Sequence, residues 1–167
     1  DDQTDGVMAH YINDKYDLFG QVFVGNLAQD EGLREKGFSI HYDRAVQEKT
    51  SVGASYMQTK NDYFERQMVS VETRMGLRNP GDGFMSEIGL VQEKAKAEKA
   101  TTGYYTLFQN MVKMIRGYSG LVTFESWKPD LSKNGNESYR YGVGVLAFPW
   151  IRTEYRLQLL NYRTVVP

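Results

Sequence analysis

The chain has 167 residues, no cysteine and a formal net charge of -1, a length that makes one domain able to fold without staples. These values exclude a disulfide framework, thiolate metal sites and covalently attached haem, and no basic surface advertises nucleic acid. Mean hydropathy is -0.54 and no run approaches the roughly 18 apolar residues of a membrane helix, a test that barrel strands escape because only every second residue need be apolar.

Aromatic residues are plentiful, with 12 Tyr, 8 Phe and 2 Trp, a usage that suits strands. The opening Asp1-Asp2-Gln3-Thr4-Asp5 carries neither an initiator Met nor a signal peptide, and reads as a processed, exported chain or as part of a longer one. Val7 to Ile12 is expected as a first strand, with a tight turn at Asn13-Asp14-Lys15. Tyr16 to Asn26 follows as a strand, and Leu27 to Lys36 as a polar loop with room for a helical turn.

Phe38, Ile40 and Tyr42 alternate with Ser39, His41 and Asp43, and after a turn at Ala45 to Lys49 the same rhythm resumes in Val52, Ala54 and Tyr56. Asn61-Asp62 marks another turn. Val69, Val71, Thr73 and Met75 then oppose Arg66, Ser70, Glu72 and Arg74. Asn79-Pro80-Gly81-Asp82-Gly83 is the strongest turn signal in the chain. Phe84, Ile88 and Leu90 next oppose Glu87, Gly89 and Glu93, and Glu93 to Thr101 is a charged loop that helical propensity would also suit.

Gly103 to Arg116 fits helical spacing in part, but the turn and plain strand Tyr118 to Trp127 that follow favour a strand there too. Lys128 to Glu137 is a long polar loop. The last hairpin is the cleanest: Tyr139, Tyr141, Val143, Val145 and Ala147, a turn at Phe148-Pro149-Trp150, then Ile151, Thr153, Tyr155, Leu157 and Leu159 against Arg152, Glu154, Arg156 and Gln158. A period of two places these sets on opposite faces. The whole reads as an all-β, antiparallel up-and-down meander of about ten strands in one domain, residues 1–167.

Short turns and long loops alternate when counted back from the C-terminus, as they do in outer-membrane barrels. With the Phe148-Pro149-Trp150 turn on the periplasmic side, the last strand runs outward, whereas such barrels return both ends to the periplasm. The chain is therefore expected to be part of a larger barrel that lacks at least one strand here. Arg66, Glu72, Arg74, Glu87, Glu93, Arg140, Arg152, Glu154 and Arg156 fall on the polar sides of their strands and would line an aqueous lumen, where mixed signs give weak ion selectivity or cross-strand ion pairs. Trp127, Tyr139, Trp150, Tyr155 and Tyr162 lie near strand ends, the place of interfacial aromatic residues.

Phe124-Glu125-Ser126-Trp127-Lys128-Pro129-Asp130, Arg140-Tyr141-Gly142-Val143-Gly144 and the run Phe148 to Arg156 resemble the closing hairpins of bacterial outer-membrane porin-like barrels, including the sheath proteins of porin–cytochrome conduits. The likeness covers roughly the last forty residues. It implies a transmembrane β-barrel in the bacterial outer membrane, acting as a passive channel for small polar solutes or as a scaffold. Its partners would be membrane lipid and other envelope chains, with no cofactor. Family members continue into a further strand ending in an aromatic residue, which this chain lacks.

Enzyme chemistry finds little purchase. Ser39, His41 and Asp43 share a face, but successive same-face residues on a strand stand about 7 Å apart, too far for a hydrogen-bonded triad. His10 has no evident partner, and two His without Cys argue against a metal site. Asn136-Glu137-Ser138 matches a glycosylation sequon by chance. The rival reading is a soluble calycin-like barrel holding a small apolar ligand. The two differ in orientation: Val143, Val145, Leu157 and Leu159 face lipid in the first and line the cavity in the second.

Overall fold

The computed structural model describes residues 5–76, 82–96, 98–150 and 153–165, with the side chains of 148–150, 153 and 154 outside that description. Alternating side chains produce ten strands: β1 (Asp5–Ile12), β2 (Tyr16–Gly25), β3 (Lys36–Gln47), β4 (Thr50–Lys60), β5 (Phe64–Gly76), β6 (Gly83–Ala95), β7 (Thr101–Ile115), β8 (Tyr118–Lys128), β9 (Glu137–Trp150) and β10 (Thr153–Val165). Each pairs antiparallel with the next in one sheet, in chain order. Among the described residues β1 and β10 make no contact, so the sheet is an open meander with two free edges.

Register carries one side of each strand across the whole sheet, because directly opposed residues share a face. One row of opposed residues runs from Tyr16 through Arg44, Val52, Thr73, Ser86, Phe108, Phe124 and Tyr141 to Asn161. Tyr16 opens β2, whereas Asn161 lies in the far half of β10. The strands are therefore staggered, the offset that a tilted barrel wall uses.

The two faces have exchanged their usual roles. Ser70 is 4% exposed, Thr123 5% and Glu72 8%, whereas their neighbours Val71 and Val122 are 58% and 56% exposed. The described residues form a single layer, so no second layer covers the polar side and only curvature can bury it. The sheet curls around its polar face and presents the apolar one outward. Val143, Leu157 and Leu159, at 57%, 73% and 74%, stand on the outward face.

Two glycines let bulky polar groups lie flat inside the curve. A Cβ at Gly53 would stand 2.9 Å from Glu72 Oε1, and one at Gly89 would overlap the Tyr105 ring. Glycine there admits a side chain from the next strand across its own backbone.

The longer connections 26–35 and 129–136, with the hairpin 61–63, gather at one rim, and the short connections after β1, β3 and β7 at the other. Asp5 pairs with Gly25 and Val165 with Glu137, so β1 begins and β10 ends at the long-loop rim. The loop 26–35 holds the expected helical turn, a 3-10 turn at Glu31–Leu33, and rests on the neighbouring hairpin through Asp62 N to Gly32 O at 3.0 Å. Asp130 organises the last loop, accepting hydrogen bonds from the Ser132 amide and hydroxyl at 2.9 and 2.6 Å. Those two donors hold its carboxyl below the usual range.

Several boundaries differ from the sequence reading. The Phe148-Pro149-Trp150 segment belongs to β9 rather than to a turn. β8 ends its pairing at Tyr118 opposite Ala147, so Pro149 lies beyond its reach and its missing N–H disrupts no ladder there. The turn at Ala45 to Lys49 shrinks to residues 48–49 because a register shift between Ala45 and Gln47 extends β3. Gly103 to Arg116 is strand to Ile115, and β6 continues to Ala95 where the charged loop was expected to begin. Of the Asn79 to Gly83 turn, residues 79–81 lie outside the described residues.

Gly89→Val should destabilise the full chain by about 1–3 kcal/mol through overpacking. Gly20→Val, where a Cβ meets nothing within 4 Å, should shift stability by less than about 0.5 kcal/mol. Urea midpoints of the two variants in detergent test the contrast.

Candidate functional site

The polar face is where this chain concentrates its charge, and the register brings together residues far apart in sequence. Asp17 opposes Asp43, Asp43 opposes Gly53, Gly53 opposes Glu72 and Glu72 opposes Glu87. The row continues through Leu107 and Glu125 to Arg140. Five carboxylates thus share one row with a single guanidinium. Asp17 and Asp43, and Glu72 and Glu87, are like charges directly opposed, an arrangement that costs stability unless cations or protons compensate.

Of the residues expected to line a lumen, Arg66, Glu72, Arg74, Glu87, Glu93, Arg140 and Arg156 all register onto this face. Arg152 lies outside the described residues, as does the side chain of Glu154. Cross-strand pairs already join many of these groups. Arg66 donates from Nε and Nη2 to Glu93 Oε2 at 2.9 and 2.8 Å, and Glu35 from the loop 26–35 approaches Arg66 at 3.7 Å. Arg140 pairs with Glu125. Tyr105 donates its hydroxyl to Glu87 at 2.6 Å.

The interfacial aromatic residues divide between the faces. Tyr139 and Tyr155 register onto the apolar face, beside Phe124 and opposite Ala147 respectively. Trp127 and Tyr162 register onto the polar face, opposite Ser138 and Arg140, and do not face outward. Together with Glu87, Tyr105, Glu125 and Arg140 they line a hollow of about 470 Å³. The side chain of Trp150 lies outside the described residues. On the apolar face itself, Tyr11, Tyr16 and Tyr42 pack in series at 6.0 and 6.4 Å near the short-turn rim. Phe108, Phe124 and Tyr139 do the same at 6.3 Å toward the long-loop rim.

Sequence reasoning missed the partnership of Glu72 with β3. Glu72 leans over Gly53 and brings Oε1 to 3.5 Å from His41 Nε2, while Arg74 lies 2.9 Å from that same oxygen and 4.0 Å from Asp43 Oδ2. Ser39, His41 and Asp43 do share the polar face, but His41 turns to Ser55, at 2.8 Å from Nδ1, rather than to its own strand. His10, given no partner by the sequence, meets Asp17 at 2.5 Å. The signal for the His41–Ser55 and His10–Asp17 contacts was present in the turn lengths, since a two- or three-residue hairpin fixes which residues oppose one another.

No protein-family model matches the chain, and no curated protein or solved structure is significantly similar to it. The all-β meander therefore stands on the geometry alone.

Arg66 and Glu93 are both about one-third exposed or more, so solvent screens their attraction. A double-mutant cycle with Arg66→Ala and Glu93→Ala should return a coupling of about 1 kcal/mol or less; urea unfolding of the four proteins measures it.

Proposed function

We propose that this chain is the wall of an outer-membrane, porin-like β-barrel, whose apolar face meets lipid and whose polar face lines a water-filled path or a bound partner. The observation that supports this reading is the inversion of burial: Val71 is 58% exposed while its neighbours Ser70 and Glu72 are 4% and 8% exposed. In water an outward apolar face of this extent has no stabilising role; in a bilayer it is the required surface. The tyrosine series Tyr11, Tyr16 and Tyr42 near the short-turn rim supports it as well, since rings of that kind sit at lipid headgroups. The soluble calycin-like alternative requires the opposite curvature, with Val143 and Leu159 inside.

The barrel closes by pairing the free edges of β1 and β10, with each other or with strands of further envelope chains, because unpaired backbone groups are not sustained in lipid. Small polar solutes are the cargo, and the carboxylate row biases the path toward cations. No catalytic step belongs to this reading. The bacterial outer membrane is the location that fits it.

Val71→Arg tests the orientation. On a lipid face it should cost about 2–4 kcal/mol and diminish the compact, heat-modifiable gel band of detergent-folded protein. As an exposed position on a soluble sheet it should cost no more than about 0.5 kcal/mol. Recovery of the wild-type chain in the soluble fraction, with no heat-dependent shift and a silent Val71→Arg, would sink the proposal.

A further inference from the structure

We infer that His41, Asp43 and Glu72 form a binding site for one first-row divalent cation on the polar face. One ligand atom from each lies within 4.8 Å of the others. Ligands around a single Zn²⁺ sit about 2.0–2.2 Å from the ion, hence about 3–4 Å from each other, so small side-chain rotations close the shell. The register makes the site possible: Asp43 and Glu72 flank Gly53 on one row, and the absent side chain at Gly53 leaves the passage by which Glu72 reaches β3.

Two observations point to a cation rather than to an ordinary ion-pair cluster. Glu72 Oε1 is buried, belongs to a residue only 8% exposed, and accepts no hydrogen bond, although Arg74 Nη2 stands 2.9 Å away. Second, His41 Nδ1 is engaged by Ser55 Oγ at 2.8 Å. In the tautomer that carries its proton on Nδ1 toward Ser55, Nε2 turns its lone pair to Glu72 Oε1 across 3.5 Å, the form in which an imidazole and a carboxylate ligate one cation together. The outer contacts are those of a metal site: Ser55 orients the imidazole, and Ser51 donates to Asp43 Oδ2 at 3.1 Å.

Charge follows the same direction. Among the described residues, Asp43 and Glu72 present two negative charges with the Arg74 guanidinium against them, and Asp17 and Glu87 add two more on the same row. The Arg74 side chain is 54% exposed, so it can withdraw into solvent and cede its place. An imidazole nitrogen with two carboxylate oxygens suits Zn²⁺ or its neighbours better than Mg²⁺ or Ca²⁺, which favour all-oxygen shells.

This inference does not rest on the membrane reading, and its test is separate. The full chain, purified in mild detergent and stripped with EDTA, is titrated with Zn²⁺ by calorimetry. One saturable site is expected. His41→Ala and Glu72→Gln should each weaken it at least about tenfold, while His10→Ala leaves it unchanged. Arg74→Ala should tighten binding, a gain that misfolding cannot imitate. Absence of saturable binding, wild-type affinity in both ligand variants, or weaker binding in Arg74→Ala would overturn the site. Strand content by circular dichroism accompanies each variant, and heat-modifiable migration of the same samples reports independently on the barrel.

Discussion

Everything in this molecule depends on one constraint: a single sheet must bury one of its faces without a second layer to cover it. A side-chain period of two makes the faces chemically distinct, and the pairing registers propagate that distinction from β1 to β10. Curvature then decides which face is enclosed. Here it encloses serines, threonines, glycines and carboxylates, together with Phe23, Val91, Leu121 and Leu146, and leaves most valines and leucines outside. Hydrophobic burial, which drives the folding of most proteins in water, is thus largely absent from the isolated chain. On the proposed reading, lipid supplies the low-dielectric surrounding that such an outward apolar face requires.

The same constraint explains the sheet's ladder and its edges. Nine antiparallel pairings satisfy the backbone of the inner strands, leaving half of the polar backbone groups of β1 and β10 without ladder partners. In water such edges invite association, and in a bilayer they must be paired. On the proposed reading, the progressive stagger from β2 to β10 is the offset that closure would use, since a flat, unstaggered meander cannot curl into a tilted wall.

Much of this was legible in the sequence. The alternation in β9 is unambiguous because one side, Tyr139 to Ala147, is apolar throughout, the middles of β3 and β5 repeat it, and even the mixed run 103–116 resolved as strand because its neighbours on both sides leave room only for hairpin connections. Boundaries failed where a local signal outweighed pairing context. Pro149 reads as a turn residue, yet β9 extends past the end of β8 and there tolerates it. Trp127 and Tyr162 read as interfacial because they lie near strand ends, but proximity to an end says nothing about face; only parity does, and each sits in phase with Arg140 rather than with Tyr139. The contact of Glu72 with His41 was invisible for another reason. It spans β4 over Gly53, and no pattern within one strand reports what a neighbouring glycine permits.

The opposed carboxylates are the most telling departure from simple barrel logic. A polar lining needs only groups that water or a neighbour can satisfy, and serine, threonine and glutamine meet that need without electrostatic cost. Asp17 facing Asp43 and Glu72 facing Glu87 instead concentrate repulsion, and at Glu72 the curvature is already withdrawing water. Desolvation strengthens that repulsion as it strengthens any pairing. Arg74 and Arg140 offset part of it, and His10 and Tyr105 engage Asp17 and Glu87. The remainder is concentrated at Glu72, whose buried oxygen accepts no hydrogen bond. On the two proposals made above, a row that is structurally expensive and only partly neutralised by its own side chains would take positive charge from outside the chain, passing along the polar face in the one and staying in the other.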